Sequence, residues 1–93
     1  MYLSHPVRRM REDPQPDTPV DLVVTAADDA DREDLAAALE AVGAEVEERL
    51  RFGALRVSCR ETTVADVVAL DGIAEVETWA TRELAGGDAG EDV

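Results

Sequence analysis

Few side chains in this 93-residue sequence are spaced for catalysis or metal binding. The best candidate is a run of acids, Asp29, Asp31, Glu33 and Glu40, whose spacing matches positions 1, 3, 5 and 12 of a calcium-binding EF-hand loop. Position 6 of that loop must be glycine but is Asp34 here, and the residues from Asp31 onward have the apolar period of a helix. Acids that cap a helix explain this run better, so we predict no metal site.

The other reactive side chains are isolated from one another. His5 lies among residues predicted to be disordered, and Cys59 alternates inward on a predicted strand. A single cysteine excludes a disulfide framework and a cysteine-based zinc site. Gly86-Gly87 precedes no helix and therefore forms no phosphate-binding loop. With no acid, base and pocket brought together, the sequence predicts neither an enzyme nor a cofactor site.

Acidic side chains dominate the composition. The sequence has 22 Asp and Glu against 9 basic residues, all of them Arg, and a net charge of −13. This charge excludes nucleic acid and anionic lipid as partners, because phosphates bind clustered cations.

No apolar run approaches the roughly 20 residues that span a bilayer, and the N-terminus has no export signal, so we expect a cytoplasmic protein. The acid excess without Lys favours a high-salt environment, where salt screens charge repulsion; an ordinary acidic protein is the alternative.

The chain is predicted to have one foldable segment between two tails. Residues 1–19 contain several prolines and balanced charges, so we expect a disordered leader, in which Met10 is an alternative start to Met1. Residues 85–93 have few core-forming side chains and are expected to be a disordered acidic tail. Residues 20–84 then form the domain, and a domain of this size is marginally stable.

Hydrophobic patterning in the domain predicts the element order β-α-β-β-α-β. Gly43 is placed to end the first helix, and Glu48 interrupts the alternation of the second strand, at a bulge or an edge. Thr62 or Thr63 begins the second helix, with Asp66 as an acidic capping-box partner. The predicted elements are strand 20–25, helix 31–42, a hairpin of strands 44–52 and 55–60, a helix that ends at Gly72, and strand 73–79.

This order predicts a ferredoxin-like α+β sandwich. Each β-α-β unit takes a right-handed crossover and the hairpin joins the two units, which gives a four-stranded antiparallel sheet with two helices on one face. The other face is left open, either solvated or used for docking. Its predicted side chains are Glu45, Glu47, Arg49, Arg51, Arg56, Ser58 and Arg60.

Four stretches of the domain resemble the inhibitor I9 family, which contains subtilisin propeptides and stand-alone proteinase inhibitors. They are VDLVVT, DREDLAAALEAVGAEVEE, RFGALRVSC and VADVVALDGIAEVE. The last is the most specific, with a leucine, a helix-ending glycine, an aliphatic residue and, two residues later, Val76-Glu77. The resemblance implies a protein that binds a subtilisin-like serine protease, supplied as a separate chain, and either inhibits it or assists its folding.

The resemblance also implies two contact regions. The open sheet face would pack on two surface helices of the protease, with acids that cap the helix N-termini. The segment after the last strand would lie in the active-site cleft as an added strand, with Leu84 or Ala85 nearest the catalytic serine; Leu84 gains more from an apolar pocket. The docking face would comprise Glu45, Glu47, Arg49, Arg56, Ser58, Glu75 and Glu77. The cleft-binding tail would comprise Thr78, Trp79, Ala80, Thr81, Arg82, Glu83 and Leu84.

Two alternatives stay open at this point. Trp79 could instead be an aromatic side chain at the edge of the core. The domain could instead be a regulatory module that forms a homodimer through its open sheet face. A monomer in solution favours the protease-binding hypothesis, and a stable homodimer with that face buried favours the second.

Overall fold

A five-stranded mixed sheet carries three helices in the computed structural model, which describes residues 1–15 and 17–79. The strand order is β1-β5-β2-β4-β3; β1 is parallel to β5, and the other neighbours are antiparallel. The elements are β1 (Tyr2–Leu3), α1 (His5–Glu12), β2 (Pro19–Ala26), α2 (Arg32–Ala41), β3 (Glu45–Arg49), β4 (Ala54–Arg60), a 3₁₀ turn (Glu61–Thr63), α3 (Val64–Val68) and β5 (Ile73–Thr78).

The α+β class is confirmed, but the predicted numbers of strands and helices are wrong. Strands β2 to β5 correspond to the four predicted strands, and α2 and α3 to the two predicted helices. The additional strand β1 and helix α1 come from residues 1–19, which we expected to be a disordered leader. The N-terminal residues are therefore part of the fold. The boundary predicted at Leu84 and the tail 85–93 lie outside the described residues.

Two apolar side chains attach α1 to the domain. Val7 and Met10 lie one helical turn apart and are 0% and 7% exposed. Pro6 occupies the first turn of α1, where a missing backbone N–H costs no hydrogen bond. The N–H of Ser4 donates to the carbonyl of Val76 over 3.0 Å, which extends the pairing of β1 with β5. A two-residue strand and two buried side chains were too weak a pattern to predict among the prolines.

The hydrophobic core lies between one face of the sheet and the helices. Buried side chains of all three helices belong to a single cluster with alternate residues of the strands, such as Leu22 and Val24 of β2. Val23, between them, points to the opposite face. The helical members are Val7, Met10, Leu35, Ala36, Leu39, Val64 and Val67. Among the described residues, the helices thus cover one face of the sheet and leave the other open.

No described helix combines the length and apolar character needed to cross a membrane.

One of the acids before α2, Asp31, caps that helix, as predicted. The Asp31 carboxylate accepts hydrogen bonds from the backbone N–H groups of Glu33, at 2.8 Å, and Asp34, at 3.3 Å. These groups have no partner within the helix, so the carboxylate satisfies them. Gly43 follows the helix with a φ of 101°, a left-handed conformation that glycine adopts without strain.

The second predicted helix is shorter than expected and lacks its predicted capping box. The 3₁₀ turn leads directly into α3, so Thr63 already has helical dihedral angles, φ −88° and ψ −14°. An N-cap residue is extended, and Thr63 makes no side-chain capping bond. Val64 and Val67 are nevertheless fully buried, as the apolar pattern predicted.

A β-bulge interrupts β3 at the position where the sequence pattern breaks. Val46 pairs with Val57 and Glu48 with Arg56, so Glu47 is the extra residue between them. A bulge shifts the alternation of the strand by one residue. Glu48 consequently lies on the open face, and Arg49, opposite Leu55, lies on the helix side.

Candidate functional site: the open sheet face

The open face of the sheet is built from alternate residues of the strands that flank β2. Val23 of β2 is paired with Arg56 of β4 on one side and Glu77 of β5 on the other. Its side chain is 0% exposed although it lies outside the helix-side cluster. The centre of the open face is therefore covered, and charged residues of β4 and β5 lie on either side of it.

Acidic side chains outnumber cations on this face. Arg56 and Arg60 of β4 alternate with the helix-side residues of that strand, and Arg60 is paired with Asp17 at 3.3 Å. The register places the following acids on the same face: Asp21, Glu45, Glu47, Glu48, Glu75 and Glu77. The face is therefore negative, and it is complementary to a positive surface or to the N-termini of helices.

Arg56 is surrounded by these acids and by an aromatic ring. Its Nη2 lies 3.2 Å from Oδ2 of Asp21, and its Nη1 lies 4.0 Å from Oε1 of Glu48. The guanidinium carbon lies 4.6 Å from the centroid of the Trp79 ring, a cation–π distance. The Nε of Arg56 is buried and has no hydrogen-bond partner among the described residues. Arg56 thus connects β2, the bulge of β3 and the residue after β5.

The bulge brings three predicted docking residues together. Glu45 is paired with Ser58 in the register, and the hydroxyl of Ser58 donates a hydrogen bond of 2.7 Å to Oε2 of Glu47. These side chains occupy the part of the open face next to the edge of the sheet. Glu75 and Glu77 lie toward the other edge, on β5. The structure therefore places Glu45, Glu47, Arg56, Ser58, Glu75 and Glu77 on one face.

Arg49 does not lie with them. Its Nε and Nη2 donate hydrogen bonds of 2.7 and 2.6 Å to the two carboxylate oxygens of Glu33 on α2. The hydrogen bond from Arg49 holds the pKa of Glu33 below its usual value, and the same contact raises the pKa of Arg49. Strict alternation along the strand predicts Arg49 on the open face; this prediction is wrong, because the bulge before Arg49 turns it to the helix side.

Two acids of this face were missed by sequence reasoning. Asp21 alternates with Leu22 and Val24 in the sequence, so the pattern of β2 was sufficient to place it. Glu48 reaches the face through the bulge. A pattern can indicate that an irregularity exists there, but the side to which the extra residue turns depends on strand pairing.

The predicted cleft-binding tail is described only at its start. Thr78 is the last residue of β5, is paired with Leu22 and is 7% exposed, so it belongs to the sheet. Trp79 is half-buried and lies over Arg56 on the open face, and it does not belong to the helix-side cluster. Ala80 to Leu84, with Ala85, lie outside the described residues.

Within the described residues, Cys59 and His5 are not part of a catalytic arrangement of side chains. Cys59 is buried on the helix side, as predicted, and burial, together with the charge of Asp21, raises the pKa of its thiol to about 11. A thiol with this pKa is protonated and unreactive at neutral pH. His5 is exposed at the start of α1. Within the described part of the chain, no group of three or more His, Cys, Asp or Glu could hold a metal ion.

An α+β sandwich with one open, acidic sheet face is suited to binding another protein. A family model described as "Putative peptidase inhibitor domain" matches residues 2–79, from β1 to Trp79, and the chain belongs to this family. The family indicates a non-catalytic protein whose partner is a peptidase of some kind. The match includes the N-terminal residues that form β1 and α1. Searches of curated proteins and of solved structures find no match to this chain.

Proposed function

We propose that this chain binds and inhibits a subtilisin-like serine peptidase supplied as a separate chain. Its open sheet face docks on the peptidase, and the segment that follows Thr78 and Trp79, from Ala80 to Leu84, enters the active-site cleft. The observation that carries the proposal is the position of Trp79: the last described residue lies on the same face as the docking acids. The membership in a peptidase-inhibitor family supplies the class of partner.

The charge of the open face supports docking on helices of the peptidase. The first N–H groups of a helix have no partner within it and carry partial positive charge. Carboxylates at the centre and edges of a flat face can reach such groups without burying a whole side chain. Glu75 on β5 and the Glu45–Glu47 pair on β3 lie on either side of Arg56, so two helix ends could be capped at once.

The position at which the chain leaves β5 allows the open face and the cleft-binding segment to contact the peptidase at the same time. β5 ends at Thr78, and Trp79 turns its ring over the open face rather than toward the helices. The segment that follows therefore starts beside the docking surface. A tail tethered next to a docked face reaches the cleft at high effective concentration, so the two contacts reinforce each other.

The same charge argues against a homodimer formed through the open face. In a two-fold symmetric dimer the face packs against a copy of itself. Six acids against two arginines would then meet the same set of charges, and like charges opposite one another are destabilising. Sedimentation of the pure protein should show a monomer.

Inhibition assays with charge-reversed variants test the proposal. A subtilisin-like peptidase is titrated with the intact chain, with Glu75→Arg and with the matched control Glu12→Arg. Glu12 is an exposed acid on α1, away from the open face, and its ion-pair partner Arg11 lies 3.8 Å away. Reversing the charge of Glu12 should therefore leave inhibition unchanged. Glu75→Arg should weaken inhibition by about tenfold, since rim charges and helix caps contribute of order 1 kcal/mol each.

A truncated variant distinguishes the contribution of the open face from that of the cleft-binding segment. Truncation after Trp79 keeps every described element, and circular dichroism checks that it folds. It should bind the peptidase without blocking substrate cleavage. If the intact chain neither binds nor inhibits the peptidase, the proposal is wrong. If it raises the refolding yield of denatured peptidase without inhibiting the folded enzyme, the role is in folding instead.

A further inference from the structure

The contact between Arg56 and Trp79 spans three strands of the sheet. Trp79 follows β5, Arg56 lies on β4, and β2 runs between them. Thr78, the last residue of β5, faces the helix side, and the contact with Arg56 places the ring of the next residue on the open face. The guanidinium meets the ring 4.6 Å from its centroid. Trp79 is thus held across the sheet at the point where the chain leaves it.

The partners of Arg56 fix the guanidinium before it meets the ring. Asp21 of β2 binds one end over 3.2 Å, and Glu48 of the bulge lies 4.0 Å from the other. Both Asp21 and Arg56 belong to central strands of the sheet. A planar guanidinium held from two sides presents a fixed surface for an aromatic ring, which a lysine ammonium on a flexible stem cannot reproduce.

We propose that Arg56 is a positioning residue for the cleft-binding segment. It holds the Trp79 ring on the open face and thereby fixes the point at which the C-terminal segment begins. This inference rests on the proposed function, and it adds a residue that acts on the cleft through Trp79 instead of by touching the peptidase. Fixing the start of the segment reduces the ordering cost of binding, so affinity depends on Arg56 only while the tail can engage.

Fluorescence of the one tryptophan reports this contact without any peptidase. Arg56→Ala and Arg56→Lys should both move the emission of Trp79 to longer wavelength and increase its quenching by acrylamide, while the far-UV circular dichroism stays unchanged. The control Arg51→Ala removes the same charge from the exposed β3–β4 turn and should leave both signals unchanged. Unchanged emission and quenching in both Arg56 variants would overturn the proposal.

A double-mutant cycle separates positioning from direct contact. Dissociation constants are measured against a subtilisin-like peptidase whose catalytic serine is replaced by alanine. In the wild-type background, Arg56→Lys should weaken binding by about tenfold. In a full-length chain that also carries Leu84→Asp and Ala85→Asp, which disables the tail at either candidate position, the same substitution should change binding less than twofold.

The outcomes distinguish the two proposals. Equal loss in both backgrounds would mean that Arg56 contacts the peptidase itself, and no loss in either would mean that the contact is irrelevant to binding; each overturns the positioning role. A wild-type chain that does not bind at all overturns the proposed function, and the positioning role with it. The fluorescence measurement still shows in that case whether Arg56 holds the ring.

Discussion

Glu33 of α2 and Arg49 of β3 form two parallel hydrogen bonds of 2.7 and 2.6 Å between a carboxylate and a guanidinium. They tie the start of the helix to the edge strand of the sheet. Next to them, Nη1 of Arg32 donates over 2.8 Å to the carbonyl of Leu50, just after β3. The bulge in β3 makes this pairing possible, because it turns Arg49 toward the helix.

The Glu33–Arg49 pair should make stability depend on pH at the acidic end. The pKa of Glu33 is lowered from 4.5, chiefly by the hydrogen bond from Arg49. A group whose pKa is depressed in the folded state stabilises the fold above its unfolded pKa, and this stabilisation is lost as the pH falls through the lower, folded value. Urea unfolding of wild type and Glu33→Gln should therefore differ at pH 7, and the difference should shrink as the pH falls below 4.5. A constant difference down to pH 2 would contradict it.

Cys59 should be protected from thiol reagents and should reduce stability at high pH. Its pKa is raised from 9.0 to about 11, mainly by burial. Since the folded state holds the proton more tightly, the stabilisation is complete below pH 9 and is lost as the pH rises toward 11. Labelling with a disulfide reagent at pH 8 should be slow until urea is added. The variant Cys59→Ala should show a smaller loss of stability between pH 9 and 11 than wild type, and rapid labelling of the folded protein would contradict the burial.

Met10 should contribute to stability as a core residue. Its side chain is 7% exposed and belongs to the hydrophobic cluster. Met10→Ala should lower the free energy of unfolding by about 2–3 kcal/mol, within the range for large-to-small core substitutions. The exposed Arg8→Ala on the same helix is the control and should change it by less than about 0.5 kcal/mol. Equal, small effects would mean that α1 is not packed in solution.

Glu61 should anchor the segment after α1. Its side chain is 6% exposed, accepts a hydrogen bond of 2.9 Å from the N–H of Gln15 and lies 3.5 Å from Nη2 of Arg9. Its own N–H donates to the carbonyl of Thr18. Glu61→Ala removes a buried, charged acceptor of hydrogen bonds from Gln15 and Arg9 and should cost about 1–3 kcal/mol in urea unfolding. Faster proteolysis within residues 13–18 should accompany it, and a variant cut no faster than wild type would argue against the anchor.

Phe52 should be replaceable with a gain in stability. It has a φ of 58° in the β3–β4 turn, its side chain is 86% exposed, and Gly53 beside it has a φ of 74°. Two positive φ values are typical of a type I′ turn, which favours Asn-Gly. Phe52→Asn should raise the free energy of unfolding by about 1 kcal/mol, because it relieves a left-handed conformation in a bulky residue. Phe52→Ala keeps the strain and should give little gain; equal gains would refute the strain argument.

Salt should stabilise this acidic domain. The net charge of −13 on 93 residues produces self-repulsion in dilute buffer. At about 1 M salt the screening length falls to about 3 Å, so repulsion between separated carboxylates nearly vanishes. The midpoint of thermal unfolding should rise between dilute buffer and molar KCl. An unfolding midpoint that KCl leaves in place would refute the prediction.

Elements could be predicted from the sequence where the hydrophobic pattern and the capping residues indicate the same boundaries. Leu22 and Val24 share one face of an apolar, β-branched run, and Asp31 and Gly43 mark the two ends of α2, so both elements were predicted nearly to the residue. Cys59 was placed correctly by the alternation of its strand. The alternation of a strand and the caps of a helix are local features of the sequence. They predict the element without any contact between residues distant in the chain.

The sequence was insufficient where long-range pairing decides the outcome. Tyr2 and Leu3 become a strand only because the edge of β5 is available to them. Arg49 changes sides because strand pairing places the extra residue of the bulge at Glu47. Trp79 meets Arg56 across an intervening strand, and no spacing along the chain indicates that contact.

The pairing of β1 with β5 gives the domain an unusual order of assembly. Of the strands that the structure describes, β1 is the first along the chain and β5 the last, and they are hydrogen-bonded to each other through the pairs Tyr2–Glu75 and Leu3–Val76. Contacts this distant in sequence form slowly, because a long loop must close before they are gained. During synthesis, β1 must therefore wait for nearly the whole domain before its site exists. A nascent chain arrested before Ile73 would leave Val7 and Met10 without part of the surface that they cover, and would be open to proteases until translation resumes.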